Sequence, residues 1–194
     1  MHALWSSLFG NERPVEIEVG PGRGDVLLAF ATARPEVNFF AIEHVRGAVE
    51  RIAARLDAAG VTNARVIAAD ASCVVQHLVP AASVAAYHIY FPDPWPKRRH
   101  HYRRIFAAPF ATAVARTLAP GGVLHVATDL GWLYDDVCRV LRAAGFTRAT
   151  DTLAPPRPTT KFERKYATSG TFCGTFGPPP HSWGAPSPRP QKNS

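Results

Sequence analysis

Cysteines are few in this chain, and long apolar runs are missing. The three cysteines lie far apart and include no C-x-x-C pair, so the sequence indicates neither a disulfide framework nor a zinc site. No apolar run approaches the roughly 18 residues of a membrane helix, and the first residues lack the basic region and apolar core of a signal peptide. We therefore expect a cytoplasmic protein with reduced thiols, no bound metal and no membrane association.

Acidic residues are also in the minority. The sequence has 15 Asp and Glu against 22 Lys and Arg, and the formal net charge of +7 favours a polyanionic partner through long-range attraction. With 194 residues, 46% of them apolar, the chain can form one sizeable core but is too short for two ordinary enzyme domains. No internal repeat is present. We expect one domain, as a monomer or a homodimer.

Apolar residues recur with a period of two in some segments and with helical spacing in others. Strands are predicted at 15–20, 38–42, 64–69, 84–91 and 123–128, and helices at 25–33, 49–59, 110–118 and 133–144. Strands that alternate with helices imply an α/β fold with a mostly parallel sheet and helices on both faces. Such sheets bind ligands beyond the carboxyl ends of their strands.

Three segments are predicted along the chain. Residues 1–14 form a short leader, and residues 15–176 form the α/β domain. Residues 177–194 (GPPPHSWGAPSPRPQKNS) are too rich in Pro, Ser and Gly to hold a packed core. We expect this tail to be disordered.

A glycine-rich turn follows the first predicted strand. Gly20, Gly22 and Gly24 let the backbone approach a ligand without obstruction by Cβ atoms, although a plain tight turn has the same composition. The spacing is G-x-G-x-G and not the G-x-G-x-x-G of dinucleotide sites, and Asp25 stands where a pyrophosphate would meet the helix N-terminus. Both details favour a nucleoside cofactor without phosphates.

Carboxylates stand at the ends of the predicted strands. Glu43 lies 19 residues after Gly24, where an acidic side chain can accept hydrogen bonds from both ribose hydroxyls; a helix cap or a solvated carboxylate is the alternative. Asp70 can accept from an adenine amino group or cap a helix. Because no phosphate-binding lysine accompanies them, these carboxylates suit a nucleoside that carries a sulfonium better than NAD or ATP.

The segment that follows the fourth strand (DPWPKRRHHYRR) combines an acidic residue, rigid prolines and a tryptophan with five Lys or Arg. Its basic side chains are assigned to RNA phosphates, and Trp95 or Tyr102 can stack on a base. A solvated basic loop is the alternative. The basic residues are Lys97, Arg98, Arg99, Arg103 and Arg104.

The histidines are not expected to bind metal. His100 and His101 have no acidic or cysteine partner at ligand spacing, so we expect them to help bind phosphate. The isolated histidines are interpreted as structural: His44, His77, His88 and His125.

Four segments together resemble one known family, the bacterial tRNA (guanine-N7) methyltransferases. These segments are Glu18 to Gly24, Phe91 to Arg104 (FPDPWPKRRHHYRR), Pro120 to Asp129 (PGGVLHVATD) and Arg157 to Glu163 (RPTTKFE). The resemblance spans residues 15–176, and the second and fourth segments are highly specific. It implies a Rossmann-like fold, S-adenosylmethionine as the methyl donor and the variable-loop guanine of tRNA as the acceptor.

The resemblance also implies the roles of individual residues. The cofactor-binding positions are Glu18, Glu43, Asp70 and Asp93, of which Asp93 is also the catalytic carboxylate, and the glycine-rich turn adds Gly20, Gly22 and Gly24 to the cofactor site. The substrate-binding positions are Lys97, Asp129, Thr160, Lys161, Phe162 and Glu163. We add Arg98 and Arg99 to the substrate site as phosphate contacts, because of their basic character. Thr160 and Glu163 also fit a capping box at a helix start. Two features depart from the family pattern: the segment before the first strand is shorter than usual, and the tail is proline-rich.

Guanine N7 carries a lone pair and no proton, so its methylation needs no general base. Catalysis must then come from positioning and electrostatics. We expect Asp93, with Asp129 or Glu163 nearby, to accept hydrogen bonds from the N1–H and amino group of guanine and to stabilise the positive charge that develops on the purine.

Three other functions remain open from the sequence. A methyltransferase for a small molecule or protein would leave the basic segment without a purpose. A tRNA-binding module without catalysis would not bind S-adenosylmethionine, so measuring that binding separates it from an enzyme. An NAD oxidoreductase is disfavoured by Asp25.

Overall fold

The computed structural model describes residues 3–149, 157–159, 163 and 170–179. The strands within these residues are β1 Val15–Val19, β2 Asn38–Glu43, β3 Ala64–Ala68, β4 Val84–Tyr90, β5 Leu118–Thr128, β6 Thr147–Arg148 and β7 Phe172–Gly177. The helices are α1 Ala3–Phe9, α2 Asp25–Ala33, α3 Arg46–Ala58, α4 Ala71–His77, α5 Ala108–Thr117 and α6 Gly131–Ala143, with a 3-10 helix at Arg98–Arg103.

The strands form one sheet in the order β3-β2-β1-β4-β5-β7-β6. The first five are parallel, and β7 runs antiparallel to both of its neighbours. Helices α2 and α3 cover one face, and α1, α4, α5 and α6 cover the other. The predicted mostly parallel α/β fold with helices on both faces is confirmed. No helix within the described ranges is long and apolar enough to cross a bilayer.

The direction in which strands are added reverses between β1 and β4. From β1 the chain proceeds outward through β2 and β3, and it then returns to pair β4 with the other side of β1. In open parallel sheets, ligands bind in the crevice at such a reversal, beyond the carboxyl ends of the strands. The chain segments that follow β1 and β4 therefore border the expected ligand crevice.

Strand β5 begins earlier than the sequence predicted. The residues before the predicted strand, Pro120 to Gly122, are an irregular part of β5: Leu118 pairs with Val84, but the next pair is Val123 with Ala86. A Cβ at Gly122 would lie 2.9 Å from the carbonyl oxygen of Ala119. This close approach of backbone atoms explains why position 122 is occupied by glycine.

Packed structure continues on both sides of the predicted segment 15–176. In α1, Trp5 is buried against Phe40 at 5.5 Å between ring centroids, and its indole N–H donates to Ser83 Oγ at 3.0 Å. At the other end, Gly177 pairs with Thr147 at the sheet edge. Residues 180–194, which contain most of the predicted tail, lie outside the described residues.

Two histidines lie in the core, which agrees with their structural interpretation. The ring nitrogens of His88 contact Glu16 at 2.8 Å and the Tyr90 hydroxyl at 2.9 Å. His125 stacks on His88 at 5.2 Å and contacts Thr175 Oγ1 at 3.0 Å. Burial lowers the pKa of both imidazoles, that of His125 to about 4, so both are neutral at physiological pH.

Candidate functional site

The glycine turn, residues 20–24, joins β1 to α2 at the reversal of the sheet. Gly20, Gly22 and Gly24 have φ values of 68°, 58° and 73°, a left-handed conformation that favours glycine. A Cβ at Gly20 or Gly22 would have no atom within 4 Å, whereas one at Gly24 would lie 3.0 Å from Ile52. The first two glycines therefore face open space, and the third permits close packing of α2 against α3.

Glu43, at the end of β2, forms a hydrogen bond with the glycine turn. The carboxylate is buried, and its two oxygens accept hydrogen bonds from Gly22 N at 3.1 Å and from Val45 N at 3.0 Å. The alternative of a solvated carboxylate is therefore excluded. An ionised carboxylate offers about four lone-pair sites, so two contacts with the backbone leave acceptor capacity for hydroxyl groups of a ligand.

Glu18 lies buried at the end of β1, beside the same turn. Burial raises the pKa of its carboxyl group to about 8; the positive charge of Arg157 lowers the pKa, and the carboxylates of Asp25 and Glu43 raise it. Near neutral pH the side chain therefore holds a proton. A cationic ligand in the crevice would favour the ionised form.

Asp25 is the first residue of α2, as the sequence predicted, but its carboxylate lies close to two arginine side chains. One oxygen lies 2.9 Å from Arg55 and the other 3.9 Å from Arg23. Because these cations offset the carboxylate, its expected repulsion of phosphate is weaker than the sequence suggested. Since Glu18 is protonated near neutral pH, the charge repulsion of a phosphate-bearing cofactor then depends on Glu43.

Asp70 caps a helix. Its Oδ1 accepts from the backbone N–H of Cys73 at 2.8 Å, at the start of α4. The side chain is exposed at the carboxyl end of β3. A contact between Asp70 and an adenine amino group stays a prediction, and it is compatible with the cap because the second carboxylate oxygen has its own lone pairs.

The Asp93 loop, residues 91–104, follows β4. Phe91 and Trp95 have φ values of 50° and 38°, which are uncommon for side chains of this size. Both lie two residues from Asp93, which is exposed and lines a cavity of about 160 Å³ between the loop and α6. Strained backbone on both sides of a carboxylate is typical of a site where function fixes the side chain's position.

Arg104 holds the Asp93 loop in shape. Its guanidinium donates to the carbonyl oxygens of Pro94 at 2.9 Å and Trp95 at 3.2 Å, and to Asp136 of α6 at 2.7 Å. It also lies 5.0 Å from the ring centroid of Trp132, and its side chain is only 14% exposed. The interpretation of Arg104 as a phosphate contact was therefore wrong, because its donors are used inside the protein.

The other basic residues of the loop form an exposed basic surface: Lys97, Arg98, Arg99 and Arg103. The guanidinium of Arg103 lies 4.8 Å from the ring centroid of Trp95 and 5.5 Å from that of Tyr102. Tyr102 is 77% exposed, so one face of its ring is accessible to a base. A basic surface with an exposed aromatic ring is typical of a site for single-stranded nucleic acid.

The remaining predicted substrate residues follow β5 or lie near the C-terminal end of the domain. Asp129 comes directly after β5 and is half-buried. Glu163 receives two hydrogen bonds of 2.7 Å from the guanidinium of Arg157. Thr160, Lys161 and Phe162 lie outside the described residues, so their assignment stays a prediction.

Sequence reasoning missed Arg157 as a separate functional candidate. Its guanidinium lies 4.8 Å from the ring centroid of Tyr90 and 5.3 Å from that of Phe91, at the end of β4. The residue stood within a recognised motif, six positions before Glu163, but no periodicity in that segment indicated that the two side chains meet.

Comparison with known proteins decides the family. The family model described as putative methyltransferase matches residues 12–173. A tRNA (guanine-N(7)-)-methyltransferase of Sodalis glossinidius is 43% identical over 167 residues, which cover 82% of this chain and 70% of the relative. The chain belongs to the tRNA (guanine-N(7)-)-methyltransferase family. A family member from Bordetella pertussis is 37% identical over 169 residues, and the chain spans 66% of its length.

Solved structures confirm the Rossmann-like methyltransferase fold of this family member. The aminoglycoside resistance methyltransferase NpmB1 matches with a TM-score of 0.62 at 18% identity, over 89% of this chain and 90% of that one. The antibiotic-resistance methyltransferase Kmr matches with a TM-score of 0.60 at 22% identity, over 91% of both chains. At these identities the likeness concerns the fold alone.

Proposed function

We propose that this protein transfers the methyl group of S-adenosylmethionine to N7 of a guanine in the variable loop of tRNA. One observation carries the proposal: the glycine turn and the Asp93 loop follow two neighbouring parallel strands, β1 and β4. Both segments therefore border the crevice at the carboxyl end of the sheet, and the Asp93 loop carries the basic surface. A nucleoside site and a polyanion site therefore adjoin. Membership of the tRNA (guanine-N(7)-)-methyltransferase family supports this assignment.

The residues around the glycine turn fit S-adenosylmethionine. Gly20 and Gly22 leave open the space that a Cβ would fill, and the buried carboxylates of Glu18 and Glu43 match a ligand that carries ribose hydroxyls and positive charge. Asp70 adds an acceptor at the end of β3. The bound cofactor would supply an electrophilic methyl group on its sulfonium.

The protein's contribution to the reaction is to hold the guanine. In-line attack requires that N7 face the methyl group, so the N1–H and amino donors on the opposite edge need acceptors. We assign these acceptor roles to Asp93, Asp129 and Glu163. Their negative charge also stabilises the positive charge that develops on the purine, without any proton transfer.

We assign contacts with the tRNA phosphate backbone to the basic surface. Lys97, Arg98 and Arg99 are exposed and directly follow the proposed catalytic carboxylate in the chain. Phosphate contacts fix the position of a nucleic acid but not its sequence, so they would deliver the variable loop to the crevice. The reaction takes place where tRNA is available, and we therefore place the protein in the cytoplasm.

Methyl transfer to tRNA tests the proposal directly. The protein is incubated with labelled S-adenosylmethionine and tRNA that lacks modifications, and the product nucleoside is identified by chromatography and mass spectrometry. We expect 7-methylguanosine, and a tRNA in which the variable-loop guanine is replaced by adenosine should accept no label at that site. Cofactor binding without methylated tRNA would overturn the assignment of tRNA as substrate.

Replacing Lys97, Arg98 and Arg99 together by Gln is expected to raise the KM for tRNA about 10-fold or more at physiological salt. The dependence of KM on salt should weaken as well, because fewer phosphates are neutralised. Arg104→Gln is the matched control from the same loop. It should lower Tm by about 3–6 °C and reduce kcat, but leave the salt dependence of KM unchanged. Steady-state kinetics from 50 to about 300 mM salt check this; an unchanged KM in the triple variant would remove the assigned phosphate role.

A further inference from the structure

Arg157 makes a two-point contact with Glu163. Nη1 and Nη2 donate to separate carboxylate oxygens, both at 2.7 Å. The side chains of Arg157 and Glu163 are 13% and 9% exposed. Most surface ion pairs contribute little because two long side chains must be ordered against solvent screening. A paired, poorly exposed fork of this kind instead fixes the orientation of the carboxylate.

The guanidinium is in turn held by aromatic rings at the end of β4. Its distances to the ring centroids of Tyr90 and Phe91 are within the range of cation–π contact. Tyr90 is buried, and its hydroxyl is hydrogen-bonded to His88, which contacts Glu16. A neutral His88 that donates to Glu16 accepts from the Tyr90 hydroxyl. The ring on which Arg157 lies is therefore itself fixed by the core.

Arg157 also acts on the cofactor side of the crevice. Glu18 lies on β1, which pairs with β4, the strand that ends at Tyr90. Within the described residues, the charged and titratable groups that act on Glu18 are Arg157, Asp25, Glu43 and Tyr90. Among these four only the arginine is cationic, so it offsets the other carboxylates near Glu18. One guanidinium thus influences a carboxylate from the proposed cofactor site and contacts another from the proposed substrate site.

We propose that Arg157 is a positioning residue that fixes the Glu163 carboxylate for the guanine and presents its positive charge at the end of β4, on the cofactor side of the crevice. This inference rests on the proposed function, because it assigns Arg157 a role in methyl transfer. The guanidinium itself acts through the two carboxylates and is not placed against the reacting atoms. Its two effects have different physical origins: the first depends on the fork geometry, and the second depends only on positive charge.

Two substitutions separate these effects. Arg157→Lys keeps the charge but loses the planar fork, and Arg157→Gln loses both. We expect kcat for tRNA methylation to fall about 10-fold in Arg157→Lys and about 100-fold in Arg157→Gln, since small misplacements of positioning groups have effects of this size. Arg148→Gln, at an exposed position of β6, is the matched control and should keep wild-type kcat.

The pH profile of S-adenosylmethionine binding gives the second measurement. Affinity should rise with pH as Glu18 ionises, and the midpoint should move to higher pH in Arg157→Gln but stay at the wild-type position in Arg157→Lys. A fall in thermal stability alone would not move this midpoint. Equal midpoints in wild type and Arg157→Gln, or full kcat per folded molecule in both variants, would overturn the inference.

A further variant keeps the test decisive if Arg157→Gln does not fold. Tyr90→Phe retains the aromatic ring but removes its hydrogen bond to His88. It should lower kcat severalfold without moving the pH midpoint, and an unchanged kcat would contradict the inference that the hydrogen bond of Tyr90 fixes the ring on which Arg157 lies. If wild type itself produces no 7-methylguanosine, the proposed function fails, whereas active wild type with unaffected variants refutes only the role of Arg157.

Discussion

Asp93→Asn is expected to lower kcat for tRNA methylation by about 10²–10³-fold, while the affinity for S-adenosylmethionine changes much less. The substitution keeps the size of the side chain but removes the negative charge opposite the developing purine cation. An amide also presents a donor where guanine presents donors of its own. Single-turnover rates and cofactor titration measure the two quantities separately.

The structure makes this substitution informative because another side chain holds the backbone next to Asp93. The backbone around Asp93 is held by Arg104 through the carbonyl oxygens of Pro94 and Trp95. Asp135→Asn, at an exposed position of α6, is the control for loss of one negative charge and should keep wild-type kcat. Full turnover in Asp93→Asn would remove this residue from the catalytic assignment.

Glu18→Gln is expected to weaken S-adenosylmethionine binding by about 10- to 100-fold above pH 8 and to abolish its pH dependence. In wild type, burial raises the pKa of Glu18 to about 8, so the unliganded carboxyl group is mostly protonated at pH 7. The cationic cofactor favours the carboxylate, and affinity should therefore rise as pH passes through about 8. Glutamine cannot ionise, which removes both the charge and the titration.

The same group makes the stability of the unliganded protein depend on pH. The pKa of Glu18 is about 8 in the folded state and near its ordinary value of 4.5 in the unfolded state, so the folded state binds more protons between these limits. Stability from this group is present below about pH 4.5 and declines as pH rises to about 8. Glu18→Gln should remove this decline in thermal melts, whereas Glu50→Gln, an exposed control on α3, should not. A wild-type affinity for S-adenosylmethionine that does not vary with pH would contradict the assignment of Glu18 to the cofactor site.

Local patterns in the sequence predicted most of the fold. Helix α2 has the predicted bounds because its apolar spacing is interrupted by Pro35, and β2 begins at the predicted Asn38 and extends one residue beyond the predicted strand, to Glu43. Strand β7 was not predicted, since FCGTFG has little alternation and its position depends on antiparallel pairing with β5. The short α4 and the 3-10 helix also have too few turns for periodicity to identify them.

In the candidate site, too, some residues could be predicted from local sequence, whereas the roles of others depend on tertiary contacts. The glycine turn and Glu43 are close in the chain to the strands that position them, so local sequence was sufficient. The basic residues of the Asp93 loop look equivalent in sequence, but Arg104 alone reaches across 32 positions to Asp136. Arg157 likewise acquires its role from contacts with Tyr90 and Phe91, and only tertiary structure brings these groups together.

The contacts of Arg104 join two segments that carry proposed substrate carboxylates. Asp93 lies in the loop that Arg104 contacts, and Asp129 lies two residues before α6, where Arg104 contacts Trp132 and Asp136. The loop and the start of the helix are thereby mechanically coupled.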